Sequence, residues 1–395
     1  MRPLENVRIL AVEQFGAGPF GTMHLADLGA EVIKIEDPAE GGDVARYVPP
    51  YIGQQDSLYF QSFNRNKLSL TLDLRKEDGR QVFEDLVRVS DGVYNNLRGD
   101  LPRRLGLDYA ALGQLNPRIV CCSLSGFGLT GPRAAEPGYD YLMQGYAGFM
   151  SLTGEPDAPP AKAGVSIVDF SGAFVSVLGL VVGLFQAQRT DKGCDVDVSL
   201  LDTAVSMLSY VGVFHLNQGY EPRRLPSSAH PSLYPSQVFR TRDDYVVIMC
   251  FKEKFWQRLC ERVGLSELVD DRRFRRFSDR LEHRDELLAI LQERLLERTT
   301  AEWLDRLQGQ VPCAPVNTVG QALEDEQVLA RDMVIEVPSE QWGSVRQTGN
   351  PIKLSCAEPR KDPAPALGQQ TDHVLANVLG YPSERIDQLR SGGVI

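Results

Sequence analysis

The chain has 395 residues, 43% of them hydrophobic and 24% charged, which is enough for two domains with real cores. Its 42 basic residues against 53 acidic ones leave a net charge of -11, which argues against a nucleic-acid surface built from clustered Lys and Arg. Seven cysteines without a Cys-x-x-Cys, and five histidines away from ligand spacing, predict reduced thiols and no metal site.

The first third alternates strands and helices. Val7 to Val12 reads as a short apolar strand, Phe20 to Leu28 as a helix closed by Gly29, and Glu31 to Glu36 as a second strand. Ser69 to Leu74, Asp91 to Asn95 and Ile119 to Leu124 follow as strands, with helices over Gly79 to Val89 and Tyr109 to Leu115 between them. Such alternation with short turns predicts an α/β fold: a doubly wound, mostly parallel, Rossmann-like sheet with right-handed crossovers. Gly138 to Gly148 and Phe170 to Gln188 read as helices, Gly193 to Ser199 as a strand, and Leu201 to Leu216 as one long helix. Residues 1–217 are expected to form the large domain and 218–235, rich in Pro, Ser and Arg, a linker. Residues 236–325 are read as a smaller α+β domain, with a hairpin around Arg242-Asp243-Asp244 and charged helices at 253–263, 282–297 and 300–308. From Ala314 to Asn317 a return segment begins, and 326–395 completes the large domain, ending in a helix from Asp372 to Leu379.

No apolar leader opens the sequence, which runs from Met1-Arg-Pro-Leu-Glu-Asn straight into a strand. The longest apolar run, Phe170 to Phe185, spans about 16 residues where a membrane crossing needs about 20. A cytoplasmic chain with no membrane partner is expected.

Gly16-Ala-Gly18-Pro-Phe-Gly21 is a full G-x-G-x-x-G between a strand and a helix, and Glu36 ends the next strand about 20 residues on. On these residues alone an NAD-dependent dehydrogenase leads. Against it, Pro19 is unusual where a pyrophosphate must reach the amides, and no hydride-transfer constellation appears elsewhere. The same turn can serve other phosphate-bearing or acyl ligands.

Asp169 is the other informative residue. It stands alone in Gly164-Val-Ser-Ile-Val-Asp-Phe-Ser-Gly, where an apolar helix begins. By spacing it reads as an N-cap. An aspartate with an ordinary pKa of about 3.9 is also ionised at pH 7 and can act as a nucleophile.

Several segments together resemble the class III coenzyme A transferases, the family of formyl-CoA transferase and the carnitine-related CoA transferases. They are Leu10 to Phe20, Leu28 to Glu36 with Gly42-Asp43 and Arg46, Phe63 to Arg75, Leu124 to Gly128, and Gly138-Tyr-Asp140. Val165 to Gly172, Thr190 to Gly193 and Leu379-Gly-Tyr-Pro complete the set. The resemblance implies transfer of CoA from an acyl-CoA donor to a carboxylic acid, with Asp169 as nucleophile. It places Gly16 and Ala17 at the acyl pocket. It places Leu72, Asp73, Leu74, Arg75, Asn95, Asn96, Leu97, Arg104, Tyr139 and Asp140 at the coenzyme A site. A guanidinium fork suits phosphate, which makes Arg75 and Arg104 chemically apt. The CoA thioester is substrate, and no prosthetic group is implied.

The same superfamily holds α-methylacyl-CoA racemases, in which a His in Gly-His-Asp partners the aspartate. Here the triplet is Gly138-Tyr139-Asp140, and a tyrosine of pKa about 10 is a poor base at neutral pH. The resemblance further implies a homodimer of interlocked chains, with His230 near the acyl group. The family's glycine-rich gating loop has no counterpart, since Gly-Gly occurs only at Gly41-Gly42 and Gly392-Gly393. A small dicarboxylate pair is expected as donor and acceptor, with Arg46, Arg223 and Arg224 as spare cations.

Overall fold

The computed structural model describes residues 2–52, 56–339 and 343–395. Six strands, β1 (Arg8–Val12), β2 (Glu31–Glu36), β3 (Leu68–Thr71), β4 (Gly92–Asn95), β5 (Val120–Ser125) and β6 (Asp195–Ser199), form one sheet. Every pairing is parallel and the order is β3-β2-β1-β4-β5-β6. The order reverses between β1 and β4, so the carboxyl ends of these two strands open the crevice where ligands of such sheets bind.

Strand periodicity sorts the residues by face. Ile33 and Ile35 of β2 join Leu10, Leu70 and Val93 in one apolar cluster. Helix α3 (Glu77–Arg88) covers it with Val82, Phe83, Leu86 and Val87, and the C-terminal residues Val374, Leu375, Ile386 and Leu389 finish it. Lys34 and Glu36 alternate with those isoleucines and so lie on the opposite face, yet both are buried. That face carries α1 (Ala17–Asp27) and α5 (Ile167–Thr190), which pack on each other. The helices α2 (Leu58–Asn64) and α4 (Asp140–Tyr146) precede α5 in the chain, and α6 (Leu200–Met207) packs against it.

The structure differs from the sequence reading at several helices. Among the described residues α5 is the one helix long and apolar enough to cross a membrane, at 24 residues and a mean hydropathy of 2.1. Its inward stripe, including Gly172, Ser176, Leu180 and Leu184, is buried. Gly183 makes the close approach to β5 possible, because a Cβ there would stand 2.7 Å from Val120 Cγ1. The long helix expected from Leu201 to Leu216 is two, α6 and Ser209–Gln218, broken where Ser209 takes a φ of 43°. The expected last helix is a single turn at Thr371–His373 running into a π-helical stretch at Val374–Val378. The chain ends instead on Ser383–Ser391.

The chain divides into two compact units, one of Met1–Ala147, Gly164–Ser209 and Glu326–Ile395, the other of Gly148–Ala163 and Tyr210–Asp325. The stretch 218–235 lies within the second unit and carries a short 3-10 turn at Pro226–Ser228. That unit holds an antiparallel sheet of β7 (Ser236–Arg240), β8 (Tyr245–Met249) and β9 (Cys313–Pro315), in the order β9-β8-β7. The segment read as a return from Ala314 is therefore the third strand of this sheet, paired with β8. Helices at Glu253–Val263, Arg284–Leu295 and Thr300–Leu307 bury Trp256, Leu259, Leu287, Leu291 and Trp303 against Phe239, Val246 and Ile248.

Candidate active site

At the switch point, the turn leaving β1 meets the end of β4. Asn96 Oδ1 accepts the Gln14 N–H at 2.9 Å and Asn96 Nδ2 donates to Gln14 O at 2.8 Å. A Cβ on Gly18 would stand 2.8 Å from Asn96 Cγ, and one on Gly21 would stand 2.9 Å from Val177 Cγ1. Two glycines of the G-x-G-x-x-G are thus required by packing within the protein. Helix α1 starts after Gly16 with no side-chain cap, so its first backbone N–H groups remain available for a ligand.

Asp169 enters from α5. The point where a Cβ on Gly16 would stand lies 3.1 Å from Tyr59 Oη and 3.9 Å from Asp169 Oδ2. The nucleophile candidate, the Tyr59 hydroxyl and the Gly16 backbone therefore share one small space. Phe20 and Phe170, with ring centroids 4.6 Å apart, and Phe63 form an apolar wall nearby.

Asp169 is not the N-cap of its helix, as spacing alone suggested. It sits in the first turn, and the N-cap Ser166 makes no side-chain cap bond. Asp140 does the capping from α4: its Oδ1 accepts the Val168 N–H at 2.8 Å and the Asp169 N–H at 3.3 Å. Gln144 Nε2 donates to Asp140 Oδ2 at 2.6 Å, and Asp140 is buried. Burial, and then the Asp140 charge, push the Asp169 carboxyl up to about 7. The expectation of an ordinary, fully ionised aspartate at pH 7 is corrected accordingly. Burial, with Asp169 and Asp43 nearby, pushes the Tyr59 phenol up to about 12, so it stays a hydrogen-bond donor. Sequence reasoning missed Tyr59, although it stands one turn before the Phe63 to Arg75 segment.

The residues expected around coenzyme A are variously placed. Leu72 and Asp73 are buried, and Leu74 and Leu97 pack at the edge of the large apolar cluster. Arg75 is exposed, donating to Asp73 Oδ1 at 2.9 Å and pairing with Asp37 at 2.9 Å. Arg104 is exposed, 3.3 Å from Asp100. Asn95 is buried and donates to Ser123 Oγ at 2.9 Å inside the sheet, while Tyr139 is 62% exposed. Arg46 is not spare, because its fork binds both Glu36 oxygens at 2.9 and 2.7 Å. Arg224 donates to the Ala158 and Pro159 carbonyls, and Arg223 is exposed. In the second unit His230 Nδ1 accepts the Ser232 and Leu233 N–H groups at 3.1 Å, which shapes its own turn. Among the described residues no group of three or more His, Cys, Asp or Glu could hold a metal ion.

The sequence profile of the family described as "CoA-transferase family III" matches residues 4–371. A succinyl-CoA:glutarate CoA-transferase of Mus musculus is 35% identical, over 100% of this chain and 91% of that protein. An acetyl-CoA:oxalate CoA-transferase of Acetobacter aceti is 37% identical, over 93% of this chain and 94% of its own length. Among solved structures, a CAIB/BAIF family protein from Brucella suis superposes with a TM-score of 0.82 at 35% identity, covering 95% of this chain and 99% of that one.

Proposed function

The chain belongs to CoA-transferase family III, and from that premise we propose that it exchanges coenzyme A between small dicarboxylates through a covalent enzyme intermediate on Asp169. The observation that carries the reading is the half-buried Asp169 carboxylate set against the uncapped start of α1 at the switch point.

The ionised carboxylate attacks the thioester carbonyl of the donor. The C–S bond breaks, the CoA thiolate leaves with the electron pair, and a mixed anhydride remains on the enzyme. The thiolate then attacks the aspartyl carbonyl, freeing the donor acid and leaving an aspartyl-CoA thioester. The acceptor carboxylate attacks that thioester, forming a second anhydride, and the thiolate attacks its acyl carbonyl to give the new acyl-CoA and restore Asp169. Thioester is exchanged for thioester, so no ATP enters, and splitting the transfer is the gain from nucleophilic catalysis. Each attack puts charge on a carbonyl oxygen. The Gly16 and Ala17 N–H groups and the Tyr59 hydroxyl receive it, each donor contributing about 3 kcal/mol.

Coenzyme A lies along Leu72 to Arg75, Asn95 to Leu97, Arg104, Tyr139 and Asp140, with Arg75 and Arg104 exchanging their carboxylate partners for phosphates. The chain works as a cytoplasmic homodimer with interlocked subunits. The test is chemical trapping. Enzyme incubated with succinyl-CoA alone and then with hydroxylamine should be modified on one peptide, the one containing Asp169. Modification of a cysteine peptide, or none, would rule the aspartyl route out.

A further inference from the structure

The buried charges beneath the β1 turn take no chemical part in this reaction, yet one of them grips the turn. Phe15 has a φ of 68°, in the left-handed region that a bulky L-residue rarely occupies without outside support. Its N–H donates to Asp43 Oδ1 at 2.9 Å. The same oxygen accepts the Ala45 N–H at 2.9 Å, and the Asp43 N–H donates to Glu36 Oε2 at 2.9 Å, so the carboxylate is fixed at its own backbone. Its other oxygen lies 2.8 Å from Lys34 Nζ, and Asp43 is 3% exposed.

Lysines secure the turn on either side. Lys34 Nζ donates to Glu13 O at 3.0 Å, and Lys67 Nζ donates to Pro19 O at 2.9 Å and pairs with Glu13 Oε1 at 2.7 Å. Between these two anchors, Asn96 holds Gln14 through its N–H and carbonyl, and the Asp43 carboxylate holds the N–H of the left-handed residue itself. Gly16 follows Phe15 directly, and the Phe15 ring stands 5.0 Å from that of Tyr59. Rotation of the Phe15 backbone would move both the Gly16 main chain and the aromatic contact beside Asp169.

We propose that Asp43 is a positioning residue for CoA transfer: its carboxylate holds Phe15 in the left-handed backbone and thereby sets the Gly16–Ala17 main chain against Asp169. The role rests on Asp169 being the nucleophile, and it separates geometry from charge. Asp43→Asn keeps an acceptor at the same place and loses the charge facing Lys34. Asp43→Glu keeps the charge and displaces the acceptor by one methylene.

The experiment compares kcat, KM for succinyl-CoA and Tm in both variants, with Asp169→Asn alongside. Asp43→Asn should keep at least a third of wild-type kcat despite a lower Tm, because a buried Lys34 loses its nearest carboxylate. Asp43→Glu should lose kcat by about tenfold or more, with KM within about threefold, as a displaced reacting geometry predicts. Should either fail to fold, the comparison is made between Asp43→Asn and Asp43→Ala in a Lys34→Met background, with the same expected order. Wild-type kcat in Asp43→Glu, equal losses in both variants, or a kcat that simply follows Tm would each overturn the role. If Asp169→Asn stays active, the nucleophile assignment fails whatever Asp43 does. If it is inactive while Asp43→Glu is normal, only the positioning role falls.

Discussion

Asp140 Oδ1 accepts the backbone N–H of Asp169 at 3.3 Å, so the residue that caps the helix of the proposed nucleophile also puts a second negative charge beside the Asp169 side chain. Both effects come from one carboxylate, and they oppose each other. Capping orders the first turn of α5, while the charge helps burial keep Asp169 protonated up to about pH 7.

Activity should therefore fall on the acid side near neutrality. With Asp169 as the proposed nucleophile, attack requires its ionised form, so kcat/KM should drop about tenfold per pH unit below about 7 and level off above it. Asp140→Asn keeps a cap acceptor and removes the charge. It should move the midpoint of the pH–rate profile down, and a midpoint that stays fixed would remove Asp140 from the account.

Stability carries the same titration with the opposite sense. The folded-state pKa of Asp169 is raised above the unfolded value of about 3.9, so its contribution is fully present below about pH 3.9 and is lost as pH rises through about 7. Asp169→Asn should abolish transfer, yet it should melt above wild type at pH 8, with the gap closing toward pH 4.5. Thermal melts of the two proteins across that range decide it. An Asp169→Asn protein that retains more than a few per cent of activity, or one that merely unfolds, would return the residue to a structural role.

Gly18→Ala tests the switch point. The added Cβ would stand 2.8 Å from Asn96 Cγ, and Asn96 is the side chain that ties β4 to Gln14. One of the two must shift, and a displacement near the reacting atoms can cost about 100-fold in rate. We expect kcat/KM to fall by about one to two orders of magnitude, with partial recovery in Gly18→Ala/Asn96→Gly. Steady-state kinetics on the three proteins would show it.

The parallel sheet was legible because strand and helix periods alternate cleanly through the first third, and Asp169 stood out because a lone carboxylate interrupts an apolar run, although spacing alone gave it the wrong position in its helix. The support of the site was not. Lys34 and Glu36 alternate with Ile33 and Ile35 along β2, and only the tertiary fold buries them and supplies Asp43 and Arg46 as partners. Asp140 sits far from Asp169 in sequence, so its capping of α5 has no local signal. The break at Ser209 falls between two stretches with the same helical period, and the last helix, Ser383–Ser391, is polar enough to pass for a tail.

A charge pair buried at the opposite end of α1 from Gly16 gives a control for stability. Arg65 and Asp27 are each 1% exposed and form a bidentate pair at 2.9 and 2.7 Å, to which Asn350 Nδ2 adds a bond at 3.1 Å. Arg65→Ala removes the guanidinium and leaves the buried Asp27 charge with the amide donors of Asn66 and Asn350, and should cost about 3 kcal/mol of unfolding free energy. Arg65→Lys cannot rebuild the fork and should recover only part of that. Denaturant titrations measure both, and kcat per folded molecule should be unchanged.

Assembly gives the last prediction. Beside its inward stripe, α5 carries a second apolar stripe at Val175, Leu178, Val182 and Phe185, which are 43%, 63%, 57% and 59% exposed. On α6, Val205 and Met207 are 50% and 41% exposed. Monomers rarely leave contiguous apolar surface of this kind uncovered, and a second copy of the chain would cover it symmetrically. We expect a homodimer that survives dilution to nanomolar concentration, because chains interlocked as proposed could not part without unfolding. Sedimentation velocity should show one dimeric species across that range, and unfolding should be concentration-dependent. Leu178→Glu with Val182→Lys should yield aggregated or poorly folded protein rather than an active monomer. A stable, active monomer from that variant, or from wild type at micromolar concentration, would show that the stripe serves something other than the dimer.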